Sequence, residues 1–245
     1  MKRKTVFLPA AFIVLSIIPS ACIGLLPLEE EPTTGSFGPS YSPPEHQTRV
    51  DDQDQREIIL TDDKGTFEKT LGTFEVNAAF AWSPDSSQVA FIAGRQAMNA
   101  DTIGDLHVVN IESSVETIKE EDIYAFFWSP DSEKLAYFVP FLTNQAADGS
   151  QTEAQQLVLQ LNMLDIKTNE SRELYTYQPS QQFANIFPYS DQYHQSATIW
   201  SPDNNNLVLS FLTSSGSPGI AVVAASGQLE PRILAKGYLA FWSWK

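Results

Sequence analysis

Three aspartates recur in one motif of this 245-residue sequence, and they are the first residues to test for chemistry. Asp85, Asp131 and Asp203 each end a Trp-Ser-Pro-Asp motif. Carboxylates that converge can hold a metal ion or act as general acid and base in a lyase or hydrolase. Such residues need only be close in space, so the sequence does not pair them. A turn role explains the three aspartates equally simply, and we prefer it.

Other residue types that serve in catalysis are sparse. The three histidines, His46, His107 and His194, show no His-Glu-x-x-His or other close metal spacing. The sequence also contains no Gly-x-Ser-x-Gly nucleophile motif and no glycine-rich phosphate loop. We therefore predict a non-catalytic protein with no metal site and no cofactor. The alternatives are a lyase or hydrolase whose carboxylates converge on one face, and a fragment of a longer protein with no activity of its own.

A second candidate site is the aromatic segment at residues 178–196, QPSQQFANIFPYSDQYHQS. Tyrosine and phenylalanine supply large contact areas at low entropic cost, which favours a binding role. The alternative is that these aromatic residues pack on their own domain. The candidate binding residues are Phe183, Phe187, Tyr189, Asp191, Tyr193 and His194.

The N-terminus predicts export. Lys2, Arg3 and Lys4 precede an apolar run of signal-peptide length that is too short to span a bilayer comfortably. The sequence PSAC resembles a bacterial lipoprotein lipobox and makes Cys22, the only cysteine, the lipidation residue. Pro19 departs from that pattern, which prefers an aliphatic residue there. The alternative is an ordinary signal peptide with an incidental cysteine.

Composition divides the chain into a signal peptide (residues 1–22), an extended Pro-, Ser- and acid-rich tether (23–55) and a folded part (56–245). The net charge of −15 repels phosphate backbones and anionic lipids. We therefore expect no nucleic-acid partner, and membrane contact only through a lipid at Cys22. The expected location is the periplasm or the cell surface.

The pattern of the folded part predicts short β-strands joined by turns. Around each motif two aromatic and β-branched runs flank Ser-Pro-Asp, as in AAFAW-SPDS-QVAFIAG. Proline at the second turn position presets φ for a type I turn, and the aspartate bonds local backbone amides. These prolines are Pro84, Pro130 and Pro202, and the tryptophans Trp82, Trp128 and Trp200 each close a first strand.

Two more strands follow each hairpin, which predicts an all-β fold of four-stranded propeller blades with each tryptophan packed between neighbours. Three blades are complete. Residues 56–72 read as the last two strands of a preceding blade, and residues 238–244, with Trp242, as the first strand of another. These pieces make either a small closed ring or an open arc, and we favour the arc. It would expose unpaired strand edges, as in a fragment of a longer propeller.

The repeats WSPDSSQVAF, WSPDSEKLAY and WSPDNNNLVL resemble the WSPDGxxLAF repeat of TolB-type β-propellers, which also occurs in propeller domains of prolyl-oligopeptidase-like peptidases. The resemblance covers residues 56–245 and implies the propeller fold. The family's glycine is replaced by Ser86, Ser132 and Asn204, which should alter turn detail only. This repeat serves binding, sensing and scaffolding alike.

Long insertions collect on one side of the predicted blades. Residues 94–104 and 140–154 are predicted loops between second and third strands, and residues 178–196 join two blades. All three leave the same end of the blades, and insertions gathered on one face of a repeat protein commonly build its binding surface. We predict that this face binds a protein or a cell-envelope ligand.

Overall fold

The computed structural model describes residues 12–14, 56–74, 77–98, 101–145, 154–193 and 197–243, of which only the backbone is described at residues 12–14, 95–98, 101–102, 144–145, 154 and 192–193. Cys22, the tether of residues 23–55 and His194 lie outside these residues. The chain divides into two compact units, Met1–Leu71 and Gly72–Lys245. No helix in the described part of the chain is both long enough and apolar enough to cross a bilayer.

A three-stranded sheet begins the fold, in the order β1 (Phe12–Val14), β2 (Arg56–Thr61) and β3 (Glu68–Phe74). Strands β2 and β3 occupy the positions predicted for the end of a preceding blade. Strand β1 was not predicted, because its residues belong to the expected signal peptide; it pairs antiparallel with β2. Ile58 and Leu60 of β2 are buried.

Two four-stranded antiparallel sheets follow, and they confirm the prediction of propeller blades. In both sheets the strands lie side by side in chain order. The first blade contains β4 (Ala78–Trp82), β5 (Gln88–Met98), β6 (Asp101–Asn110) and β7 (Glu116–Ile123). The second contains β8 (Ala125–Trp128), β9 (Lys134–Gln145), β10 (Ala154–Asp165) and β11 (Glu170–Tyr177).

The third blade has a reduced first strand. Its regular strands are β12 (Asn206–Leu212), β13 (Pro218–Ala224) and β14 (Arg232–Lys236). The first-strand position is held by an isolated bridge between Trp200 and Leu207. Between the second and third blades lie α1 (Gln181–Ala184), a 3₁₀ turn (Phe187–Tyr189) and α2 (Ser190–Tyr193).

The prediction of a strand at residues 238–244 is wrong. Within the described part of this segment, Trp242 alone makes a bridge, to Thr198. Side chains bind the neighbouring backbone groups instead. The Ala240 N–H donates to Ser210 Oγ at 3.1 Å, and the Tyr238 carbonyl accepts a hydrogen bond from the Ser180 hydroxyl. The described part of this segment therefore lies against the third blade.

The three Ser-Pro-Asp turns have one geometry. In each, the backbone N–H of the residue after aspartate donates to the serine carbonyl at 2.9–3.0 Å, as in a type I turn. That residue takes a left-handed conformation, with φ of 60–61°. Glycine adopts this conformation without steric cost, which accounts for the family's preference. The residues at this position here are Ser86, Ser132 and Asn204.

Two of these replacements connect neighbouring blades, which a glycine cannot do. The backbone N–H of Asp85 donates to Ser132 Oγ at 3.0 Å, from the first blade to the second. The backbone N–H of Asp131 likewise donates to Asn204 Oδ1 at 3.1 Å, from the second blade to the third. Ser132 and Asn204 therefore each add a hydrogen bond between neighbouring blades.

The motif tryptophans join the blades in the same order. Trp128 and Trp200 are fully buried. The Nε1–H of Trp128 donates to the Ala81 carbonyl at 3.2 Å, and that of Trp200 donates to the Phe127 carbonyl at 2.9 Å. Each acceptor is the residue just before the previous tryptophan. Trp82 is only half-buried, because its blade follows no complete blade within the unit.

The core consists of two apolar clusters between successive blades. Trp128 lies in the cluster between the first and second blades, with Ile92, Leu106 and Leu135 among its members. Trp200 lies in the larger cluster between the second and third blades. The blades therefore pack face to face through these two clusters.

Candidate functional site

The motif aspartates are occupied by their own turns. The serine hydroxyl donates to the aspartate Oδ1 in all three, at 2.7 Å for Asp85, 2.6 Å for Asp131 and 2.5 Å for Asp203. The same oxygen accepts a backbone N–H two residues further on, at 3.0–3.1 Å. This geometry favours the turn interpretation over a catalytic one.

These hydrogen bonds stabilise the ionised carboxylates. The Ser201 hydroxyl and then Asn205 hold the pKa of Asp203 below its ordinary value. Burial opposes ionisation of Asp85, but hydrogen bonds from Ser83 and Ser87 outweigh it, so its pKa is lowered too. Among the described residues, no three His, Cys, Asp or Glu side chains are grouped closely enough to hold a metal ion.

The aromatic segment folds into a short helical insertion fixed by two buried phenylalanines. Ser180 caps α1, since its Oγ accepts the Phe183 N–H at 3.3 Å. Phe183 and Phe187 are 0% and 2% exposed, with ring centroids 4.8 Å apart. Phe187 also lies 4.9 Å from Phe138 of the second blade. These two candidate binding residues therefore pack on their own domain, as the alternative proposed.

The other candidate residues of the insertion differ from these two. Tyr189 is 51% exposed and ends the 3₁₀ turn. Asp191 is half-buried in the first turn of α2. Tyr193 ends α2, and only its backbone is described. Within the described insertion, Tyr189 is thus the aromatic side chain that solvent reaches.

The two predicted loops between second and third strands are β-hairpins, which corrects the sequence analysis. Strand β5 continues to Met98, which pairs with Asp101, and β9 continues to Gln145, which pairs with Ala154. Cross-strand pairing continues past the other strands of each blade. Both insertions are therefore arms of paired strands, and the first arm comprises residues 96–98 of β5 and 101–103 of β6.

The second arm comprises residues 139–145 of β9 and 154–158 of β10. Pairing of β8 with β9 ends at Phe138, and pairing of β11 with β10 begins at Leu159, so the arm is a two-stranded ribbon. Phe141 and Leu142 are 44% and 51% exposed. The described arm contains no charged residue. It is an uncharged, partly apolar element in a chain of net charge −15.

The second arm and the insertion share one apolar cluster. Leu142 pairs with Leu157, and Leu157 packs against the cluster that contains Phe183 and Phe187. Ile103, from β6 of the first arm, belongs to the same cluster. The predicted gathering of the three insertions is therefore present in the described residues. We call the two arms and the insertion the insertion face.

The opposite end of the blades carries a shallow groove of about 520 Å³ between the first two blades. Asp85, Asp131 and Ser132 line it together with Ile166 and Lys167. Three of these residues already hydrogen-bond within or between the turns. The groove is thus formed by structural residues, and the insertion face is the stronger candidate site.

No family model and no curated protein matches the chain. Among solved structures it is similar to TolB from Acinetobacter baumannii (14% identity, TM-score 0.43), over 75% of this chain and 38% of that one. An oligogalacturonate lyase in complex with manganese is similar at 14% identity and TM-score 0.43, over 74% and 42%. The β-propeller domain of the Trilobed protease from Pyrococcus furiosus, which has an open velcro topology, gives 13% identity and TM-score 0.39, over 64% and 43%. The chain spans less than half the length of each of these proteins.

Proposed function

We propose that this chain is a non-catalytic, exported propeller protein that binds a protein or a cell-envelope ligand through the insertion face. The observation that carries this proposal is the exposure of Phe141, Leu142 and Tyr189 on elements whose neighbouring aromatic residues are buried. Exposed aromatic and aliphatic residues on a fixed support are typical of binding surfaces, because little side-chain entropy is lost on contact.

The chemistry of the insertion face favours a neutral or basic partner. The described second arm is uncharged and presents apolar side chains. Asp191 lies in the insertion, and Asp148 and Glu153 lie outside the described residues between β9 and β10. An acidic partner would meet like charges there and in the chain as a whole.

The non-catalytic part of the proposal rests on the motif aspartates. They are the carboxylates that recur in one motif, and the Oδ1 atom of each already accepts at least two hydrogen bonds in its own turn. A carboxylate committed to its own turn is poorly placed to exchange protons with a substrate.

Export and anchoring form a separate part of the proposal, supported by the sequence of residues 1–22. Lipidation of Cys22 would tether the blades to a membrane, and two or more acyl chains give stable anchoring. The wild-type protein should then fractionate with membranes, and Cys22→Ser should release it. A wild-type protein found wholly in the soluble fraction would contradict the anchor and leave the binding proposal intact.

Point substitutions test the binding site better than a deletion, because removal of the insertion would also remove Phe183 and Phe187 from the core. We expect the triple variant Phe141→Ser, Leu142→Ser, Tyr189→Ser to lose capture of its partner from an envelope extract while its melting transition stays near that of the wild type. The matched control is Val115→Ser, since this side chain is exposed and lines the groove at the opposite end of the blades.

Retention of every captured protein by the triple variant would contradict the proposed face. Loss of capture by the control variant to the same extent would show that general apolar exposure, and not this face, is responsible.

A further inference from the structure

The outermost strands of the three blades differ in charge. Strands β7, β11 and β14 each pair on one side only within their sheets. Strand β7, ETIKEEDI, has four acidic residues and one basic residue, and β11, ESRELYTY, has two acidic residues and one basic residue. Strand β14, RILAK, has two basic residues and no acidic one. In a chain of net charge −15, β14 is thus an exception.

Strand β14 also carries exposed apolar side chains. All five of its residues are exposed, including Ile233 at 66% and Leu234 at 47%. Exposed apolar residues lie just before and just after the strand as well. We define the β14 patch as Leu229, Ile233, Leu234, Tyr238 and Leu239, whose exposed fractions range from 41% to 69%. Clustered apolar exposure of this kind marks an interaction surface.

The basic residues of β14 are available to a partner. In the described part of the chain, Arg232 and Lys236 have neither an ion-pair nor a side-chain hydrogen-bond partner. The corresponding residues of the other outer strands are engaged with a neighbouring blade. Arg172 of β11 donates to the Ala225 carbonyl at 2.5 Å, and Lys119 of β7 donates to the Asn169 carbonyl at 3.1 Å.

The complement to this surface lies on the first blade of the same chain. On β7, Lys119 bonds to Asn169 of the second blade, and Glu120 and Glu121 are both exposed. Ile118 of the same strand is 42% exposed. Strand β7 thus offers two carboxylates and an aliphatic side chain, where β14 offers two cations and an aliphatic surface.

We propose that the β14 patch is a docking surface for the β7 edge of a second copy of this chain. Glu120 and Glu121 of one copy face Arg232 and Lys236 of the next, and Ile118 covers part of the β14 patch. The two surfaces differ, so the contact is head-to-tail and builds a ring or a filament instead of a two-fold dimer. The association does not involve the insertion face, so each copy keeps its ligand site.

Sedimentation velocity of the full chain at rising concentration tests the proposal. At low salt we expect the average mass of the wild type to rise with concentration, and we expect added salt to reverse this because it screens the charges. The double variants Arg232→Glu, Lys236→Glu and Glu120→Lys, Glu121→Lys should each raise the apparent dissociation constant by about tenfold or more, since like charges then meet.

The decisive sample is an equimolar mixture of the two double variants. In the mixture, an acidic β14 meets a basic β7, and we expect association to return. Recovery by mixing also shows that both variants are folded. The control, Lys64→Glu with Lys167→Glu, makes the same charge change at exposed turns and should associate like the wild type.

Three results would overturn the proposal. One is a monomeric wild type at every concentration at low salt. The second is double variants that associate as the wild type does, and the third is a mixture that stays monomeric. None of these three results depends on ligand capture by the insertion face, so the proposed association and the proposed function can fail independently.

Discussion

At one end of the blades the three Ser-Pro-Asp turns form the same hydrogen bonds, whereas at the insertion face no two of the insertions are alike. Ser83, Ser129 and Ser201 each bond to an aspartate two residues later. At the other end one blade has a short arm, the next a long arm, and a helical insertion separates the second blade from the third. The repeated residues hold the blades together, and the elements that differ form the insertion face, where we propose that the ligand binds.

The largest expected effect tests the repeated contacts. Trp200→Ala should lower the free energy of unfolding by about 3–5 kcal/mol, because it empties a fully buried site and removes the hydrogen bond to Phe127. Trp82→Ala should cost clearly less, since Trp82 is half-buried. Urea denaturation of both variants measures the difference. Equal losses would mean that burial between blades does not set the role of the tryptophan.

The next largest effect should distinguish the buried residues of the insertion from its exposed ones. Phe183→Ala should cost about 3 kcal/mol or more, since Phe183 is fully buried. Tyr189→Ala should change stability by less than about 0.5 kcal/mol, as exposed substitutions usually do. Thermal melting of the two variants provides the test. A large loss for Tyr189→Ala would assign the tyrosine to the fold and weaken its proposed binding role.

A smaller effect tests the bonds between turns. Ser132→Gly should be less stable than Ser86→Gly by about 1 kcal/mol, because only Ser132 accepts the hydrogen bond from the neighbouring turn. Both residues have the same left-handed φ, so the relief that glycine gives to the backbone cancels in the comparison. Denaturation midpoints of the pair measure it. Identical midpoints would mean that the hydrogen bond between the turns does not stabilise the fold.

The smallest expected effect is acid sensitivity at the turn end. The pKa values of Asp85 and Asp203 are lower in the folded protein than the ordinary 3.8, so the unfolded chain takes up protons first. Their contribution is complete above pH 3.8 and is lost as the pH falls through the folded values. Asp203→Asn should flatten the stability–pH curve in that range. An unchanged slope for this variant, measured by denaturation at several pH values, would contradict the assignment.

Local features of the sequence predicted the turns and the blades. Ser-Pro-Asp sets its own backbone geometry, and the alternation around it sets the strands, so neither depends on distant residues. The arms were predicted as loops because polar residues such as Asn144 and Gln145 interrupt the apolar alternation, although they pair as well as apolar ones do.

Tertiary contacts decided the remaining features. The burial of Phe183 depends on Phe138 and Phe187, which no local pattern reveals. Residues 238–244 carry the composition of a first strand, but their backbone bonds to Ser180 of the insertion and to Thr198 and Ser210 of the third blade. The exposure of Tyr189 likewise follows from how the insertion docks and could not be read from its segment.

The hydrogen bonds of the indole N–H groups all point from one blade to the preceding blade, and this direction bears on how blades can be added by gene duplication. Each tryptophan donates backwards, to the carbonyl just before its predecessor, as Trp128 does to Ala81 and Trp200 does to Phe127. A gene segment copied from one tryptophan to the next therefore contains one donor and one acceptor, and the seams on both sides of the copy are satisfied without further change. Duplication or loss of a whole blade preserves this pairing. A copied segment that lacks either the tryptophan donor or the carbonyl acceptor does not.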